Sequence, residues 1–328
     1  MSTTPFSTRH VSLTAPDRPD RDQPRFAPEP LGTADAHALV LGGGGSAGNA
    51  WLIGVIAGLL EAGLDASTAE LIIGTSAGAT AAAQITGARP TRLLEDILTA
   101  AAPHRQPGPA GSGAARGRTG PAVNHLERTG RIIASAADAA DMRRRLGAAA
   151  LDLAAATDGS EQAQWRATVA ARLPSPHWPE QRTLLTAVDA RTGEPVVFDR
   201  LSGVDLVDAV AASCASSFAY GIGDGRYIDG GYRRSSENAD LAAGYGRVLV
   251  LSPLGGRSRA PLEWRMHLAA QVDELRAGGS RVETVLPDGD SLEAFGSNLM
   301  DPSTRPPAAR AGYDQGRALG GRLGEFWG

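Results

Sequence analysis

The sequence predicts an α/β fold of three layers, α/β/α, with a mostly parallel central sheet and a helical lid inserted into it. Three observations carry that expectation. Ala38–Leu41 is a short apolar run that ends in four glycines, Gly42–Gly45, and opens into a helical pattern. Leu71–Ile73 is a second such run, ending in Gly74-Thr75-Ser76-Ala77-Gly78 before a helix of small residues. Strand–glycine loop–helix, repeated, is how a parallel sheet covered on both faces begins. The same alternation of extended and helical patterns returns at Thr183, after a stretch of different character.

Residues 1–34 form the first segment. Their Pro, Arg, Asp, Ser and Thr content cannot bury a core, so they are expected to be a disordered tail. They lack the apolar stretch of a secretory signal. One large α/β domain is then expected over residues 35–328. In the helix expected over Ser46–Ala62, Trp51, Leu52, Val55, Ile56, Leu59 and Leu60 fall on a core-facing stripe, and Gly63 sits where a helix-ending glycine belongs. Residues 89–180 are the expected lid. His104–Pro121 is crowded with Gly, Pro and Arg and is expected to be a mobile loop; Leu126–Ala156 and Gln162–Leu173 are Ala-rich and helical. Arg143-Arg144-Arg145 is read as a solvated face, with an anionic-lipid contact as the alternative. Beyond the lid, Thr183–Val188 and Pro195–Phe198 are expected to form a hairpin, and Val204–Ala212 a helix. Tyr227-Ile228 leads into Asp229-Gly230-Gly231. A strand at Arg247–Leu251, a helix at Leu262–Ala277, a strand at Arg281–Leu286 and a terminal helix at Ala308–Leu323 follow.

Composition narrows the function. The 328 residues carry a net charge of only −4, which does not suit a polybasic nucleic-acid binder. All 32 basic residues are Arg, so no Lys is available for a Schiff base. The single cysteine, Cys214, allows no disulfide within the chain, lacks a Cys–His signature, and is read as a small buried residue. No apolar run is long enough to span a bilayer. The expected location is cytoplasmic, and any contact with membrane would be peripheral. No clustered His, Cys or Asp spacing suggests a metal, and no organic cofactor is called for.

Three motifs bear chemistry, each with a bland reading beside it. Gly42–Gly48 satisfies the dinucleotide pattern through Gly43, Gly45 and Gly48, yet the second strand ends in Gly74-Thr75-Ser76 instead of the acidic residue a ribose needs. The same glycines suit an anion hole, where backbone N–H groups converge at a helix N-terminus. Gly74-Thr75-Ser76-Ala77-Gly78 has the form of a nucleophile elbow, its flanking glycines Gly74 and Gly78 allowing a tight turn that exposes the serine; a structural turn is the alternative. Asp229-Gly230-Gly231 is either a plain turn or a carboxylate whose glycines permit close approach to another backbone. A serine nucleophile needs a base. Of the six histidines, His10 lies in the tail, His37 precedes the first strand, and His104, His125 and His177 lie in the lid. Only His267 keeps the chain order of a Ser–Asp–His triad, and its mid-helix position argues against that role.

Taken together and in this order, the glycine-rich loop, the elbow about 30 residues later and the distal Asp-Gly-Gly resemble the patatin-like phospholipase family, in its bacterial branch. Thr186–Phe198 resembles the family's strand–turn–strand after its lid, and Ala209–Ser217 its small-residue segment before the aspartate. Gly296-Ser297-Asn298-Leu299-Met300 fits the bacterial members. The resemblance covers about Ala38–Ala88 and Thr183–Leu254. It implies a lipid acyl hydrolase with a Ser–Asp dyad working through an acyl-serine: Ser76 as nucleophile, Asp229 as base, and the Gly43, Gly44 and Gly45 backbone as oxyanion hole. The implied partner is a lipid or fatty-acyl ester substrate. Two departures stand out. Ala47 occupies the place where the family commonly has Arg or Lys, and the segment after Ala215 lacks a proline often found there. A catalytically weak lipid-binding protein on the same fold is the reading Ala47 leaves open.

Overall fold

The computed structural model describes residues 35–100, 121–155 and 159–328. The expected tail, with His10, and the expected loop around His104 lie outside the described residues.

Eight strands form one mixed sheet. β1 (His37–Leu41), β2 (Leu71–Gly74), β7 (Arg247–Leu251) and β8 (Arg281–Val285) run parallel, with β2 also parallel to β3 (Arg182–Asp189). β4 (Pro195–Phe198), β5 (Tyr220–Ile222) and β6 (Gly225–Asp229) add three antiparallel pairings, β3 with β4, β3 with β6, and β5 with β6. The central strands read as unbroken apolar runs because both faces are covered. Leu39 and Leu41 of β1 pack into one core layer and Ala38 and Val40 into the opposite one; Ile72 and Leu249 alternate with Ile73 and Val250 in the same way.

The first layer holds α1 (Gly45–Glu61), α2 (Ala77–Gly87), α3 (Pro90–Thr99), α7 (Leu206–Ser213) and α10 (Arg305–Trp327). The second holds α8 (Leu268–Ala277) and a short 3-10 turn at Ala239–Ala242. α1 and α10 approach to backbone contact. A Cβ on Gly54 would lie 2.1 Å from the Ala309 carbonyl oxygen, one on Gly58 2.2 Å from that of Tyr313, and one on Gly316 2.3 Å from that of Val55. α10 is longer than the sequence pattern suggests, because Pro306 and Pro307 fit the first helical turn, where an N–H would be unpaired anyway.

Among the described residues between β2 and β3, three further helices follow α3, with boundaries other than those the sequence pattern suggests. α4 (Pro121–Ser135) and α5 (Ala139–Ala155) are two helices where the Ala-rich pattern reads as one; the Asp138 carboxylate accepts the Asp141 N–H at 2.7 Å and starts the second. α6 (Ser160–Ala170) follows. α5 lies against the end of the sheet, where Met142, Leu146 and Ala150 pack on Val188 and Ile228. A last short helix, α9 (Gly289–Phe295), precedes α10.

Candidate active site

The sheet register brings two distant motifs to one point. β3 pairs with β4 along one edge, over Leu185–Val188. Its other edge is shared. β2 occupies it up to the pair Gly74–Leu185, and β6 arrives from the opposite direction down to the pair Asp229–Ala187. The two strands therefore end almost head to head, with only Thr186 between their registers. Ser76 follows the first end by two residues, and Asp229 is the second end.

Ser76 has φ 53° and ψ −115°, a left-handed conformation that few side chains adopt. The turn is held in place on both sides. The Ser76 N–H donates to Ser213 Oγ at 2.9 Å and the Thr75 N–H to the Leu41 carbonyl at 3.1 Å. Gly78 is dictated by close approach: a Cβ there would stand 1.9 Å from the Leu41 carbonyl oxygen. Gly74 is equally crowded by the Ala79 backbone. β2, this strained turn and α2 follow one another directly, with α2 starting at once behind the serine.

Asp229 is 8% exposed. Burial pushes its carboxyl up to about 6, against a hydrogen bond from the Gly231 N–H (2.8 Å) and one from the Ser76 side chain, both of which favour the charged form. Gly230 sits flat on β3, where a Cβ would meet Thr186 Oγ1 at 2.1 Å. Tyr232, three residues on, has its phenol pushed up by burial and then by the Asp229 charge.

The glycine-rich loop lies alongside. A Cβ on Gly43 would be 3.5 Å from that of Ser76. Its N–H, however, donates to the Ser236 carbonyl at 2.8 Å, so of the three expected oxyanion donors Gly43 is already engaged. The N–H groups of Gly44 and Gly45 have no acceptor among the described residues. Gly45 takes φ 65°, the left-handed turn that aims the loop into α1. The C-terminal part of the chain braces it: the Ala47 N–H donates to the Leu299 carbonyl at 3.0 Å, and Arg305 Nη1 donates to the Ser46 carbonyl at 3.1 Å and Asn49 Oδ1 at 3.0 Å.

The other expectations sort as follows. His267 is at the start of α8, not inside a helix: a left-handed Arg265 (φ 52°) breaks the expected helix into a 3-10 turn at Leu262–Trp264 and α8. No hydrogen bond joins His267 to Ser76 or Asp229 among the described residues, and its Nδ1 has no partner. Cys214 is partly accessible at its edge though surrounded by protein atoms. Its thiol is pushed up to about 12 by burial and then by the Asp229 charge, and it donates to the Ser76 carbonyl at 3.1 Å, which keeps it a protonated support. No group of three or more His, Cys, Asp or Glu side chains among the described residues is arranged to hold a metal ion. None of their helices is long and apolar enough to cross a membrane. Sequence reasoning placed Ser213 within the small-residue segment Ala209–Ser217 without giving it a role, and missed the segment Ser235–Asn238, which carries no motif.

Residues 39–243 match the family model of patatin-like phospholipases. The chain belongs to the patatin-like phospholipase family. Its three-layer α/β/α architecture is the patatin fold. Among solved structures, the type III effector protein ExoU is similar at 15% identity and a TM-score of 0.35, over 90% of this chain and 54% of that one. The chain thus spans about half the length of that effector. No curated protein matches.

Proposed function

We propose that this patatin-like chain hydrolyses carboxylic esters of lipids with a Ser76–Asp229 dyad, through an acyl-serine. The observation that carries the reading is the meeting of the β2 and β6 ends over Thr186, with a strained, half-buried serine beside a desolvated carboxylate. Asp229 takes the hydroxyl proton as Ser76 Oγ bonds to the ester carbonyl carbon. The Gly44 and Gly45 N–H groups receive the oxyanion, each such donor being worth roughly 3–4 kcal/mol. The alcohol leaves with the proton returned from Asp229. Water, deprotonated by the same carboxylate, then releases the fatty acid and restores the serine.

Helices α4–α6 serve as the cover that excludes water. A small cavity lined by His125, Ile132, Ser216, Ile228 and Tyr232 lies where α4 meets the Asp229 loop, which supports that placement.

Covalent labelling tests the reading. A fluorophosphonate probe should modify wild type at Ser76, and Ser76→Ala should lose both labelling and hydrolysis of p-nitrophenyl butyrate by at least about 10³-fold. An unlabelled but stably folded wild type that still binds lipid vesicles would favour the binding-protein reading, which Ala47 alone recommends.

A further inference from the structure

We propose that Asn238 is a positioning residue for this dyad, tying together the elbow, β3 and the Asp229 loop where they meet; the inference rests on the Ser76–Asp229 reading. Asn238 is fully buried. Its Nδ2 donates to the Gly230 carbonyl at 2.9 Å, to Thr75 Oγ1 at 3.0 Å and to Thr186 Oγ1 at 3.2 Å. Each acceptor adjoins the dyad: Thr75 precedes Ser76, Gly230 follows Asp229, and Thr186 stands between the two strand ends. Thr75 and Thr186 are themselves 2.9 Å apart, hydroxyl to hydroxyl.

The orientation of the amide is fixed chemically. A backbone carbonyl only accepts, so the group facing Gly230 must be the NH₂. On the other side Arg233 Nη1 donates to Asn238 Oδ1 at 3.2 Å and is itself paired with Asp240 at 2.9 Å. Asn238 adopts φ 53°, ψ 41°, a left-handed conformation that Asn tolerates better than most residues. A residue spending buried donors and backbone strain on this one junction fixes the separation of hydroxyl and carboxylate. The preceding residues extend the role, since the Ser236 carbonyl holds Gly43.

Asn238→Asp keeps the shape and the acceptor for Arg233 but sets an oxygen against the Gly230 carbonyl, which can only accept, and leaves the Thr75 and Thr186 hydroxyls to turn and donate instead. Asn238→Ala removes the tie outright. In both, kcat for p-nitrophenyl butyrate and the fluorophosphonate labelling rate should drop by about 10²-fold, with KM within about twofold, as expected for small misplacement of reacting groups. The acid midpoint of the rate profile should move up, because a loosened Gly230–Gly231 turn gives the Asp229 carboxylate less support. A purely structural role would lower the melting temperature and leave kcat and midpoint unchanged below it; that result overturns the inference. Should neither variant fold, Thr186→Val carries the test, and its kcat and midpoint must move the same way; unchanged values overturn it too. A labelled wild type beside a fully active Asn238→Asp sinks the role of Asn238 alone, whereas an unlabelled wild type sinks the dyad with it.

Discussion

Replacing Asp229 by Asn should abolish turnover and, at neutral pH, make the protein more stable. The carboxyl is buried, and burial raises it from the ordinary 3.8 to about 6. Between those values the unfolded chain has released its proton and the folded chain has kept it. The folded state therefore binds more protons, and stability falls as pH rises through this window. Above it the loss is complete, at roughly 3 kcal/mol, since each pH unit of the gap corresponds to about 1.4 kcal/mol. Asparagine cannot ionise, yet its Oδ1 can still accept the Gly231 N–H. In urea titrations the variant should exceed wild type by about 1 kcal/mol at pH 4.5 and by about 3 kcal/mol at pH 7.5. A difference that is absent, or that stays constant across this range, would refute the claim that Asp229 is held in a desolvated site. The cost of ionising the carboxylate is then the cost of having a base beside the serine.

Wild-type hydrolysis should follow the same titration: with a midpoint at about 6, the ionised fraction and the rate fall about tenfold from pH 7 to pH 5, and a flat profile would exclude Asp229 as the base. His267→Ala should retain most activity, measured as kcat/KM on the same ester, because nothing joins that ring to the dyad; an inactive variant would reinstate the triad. Gly316→Ala should destabilise by about 1–3 kcal/mol by forcing α10 off α1, while Gly321→Ala, further along α10 on another face with nothing within 4 Å of the new methyl, should be neutral or stabilise by up to about 1 kcal/mol. Comparable melting temperatures for the two variants would contradict the close helix contact.

The central strands were legible because each is buried on both faces and bounded by glycine, so Ala38–Leu41 and Leu71–Ile73 reappear with a residue added at one end. Ser76 and Asp229 were legible through spacing alone. Their meeting was not. It depends on β6 pairing antiparallel with β3 beyond the end of β2, a register set by tertiary packing, and β5, the three-residue strand beside β6, leaves no pattern to read. The engaged Gly43 amide was invisible for a similar reason: its acceptor belongs to Ser236, almost 200 positions later, in a loop with no period. The broken helix before α8 shows the limit of pattern reading, since Leu262–Ala277 reads as one helix while Arg265 turns left-handed. Asn238 stands in the polar stretch Arg233–Asp240, where nothing in the sequence sets it apart from its neighbours, so no signal assigned it a role.

The glycine-rich loop at Gly42–Gly45 leans on residues from Leu299 onward. Leu299 holds Ala47, Met300 lies against Gly45, and Arg305 grips Ser46, while α10 locks the helix behind the loop. During synthesis the serine and the carboxylate can both leave the ribosome before any of these partners exists. On the proposed reading their amide receptor stays unshaped until Leu299–Arg305 and α10 have been made, so a chain cut before Leu299 would carry both reacting groups and still be silent.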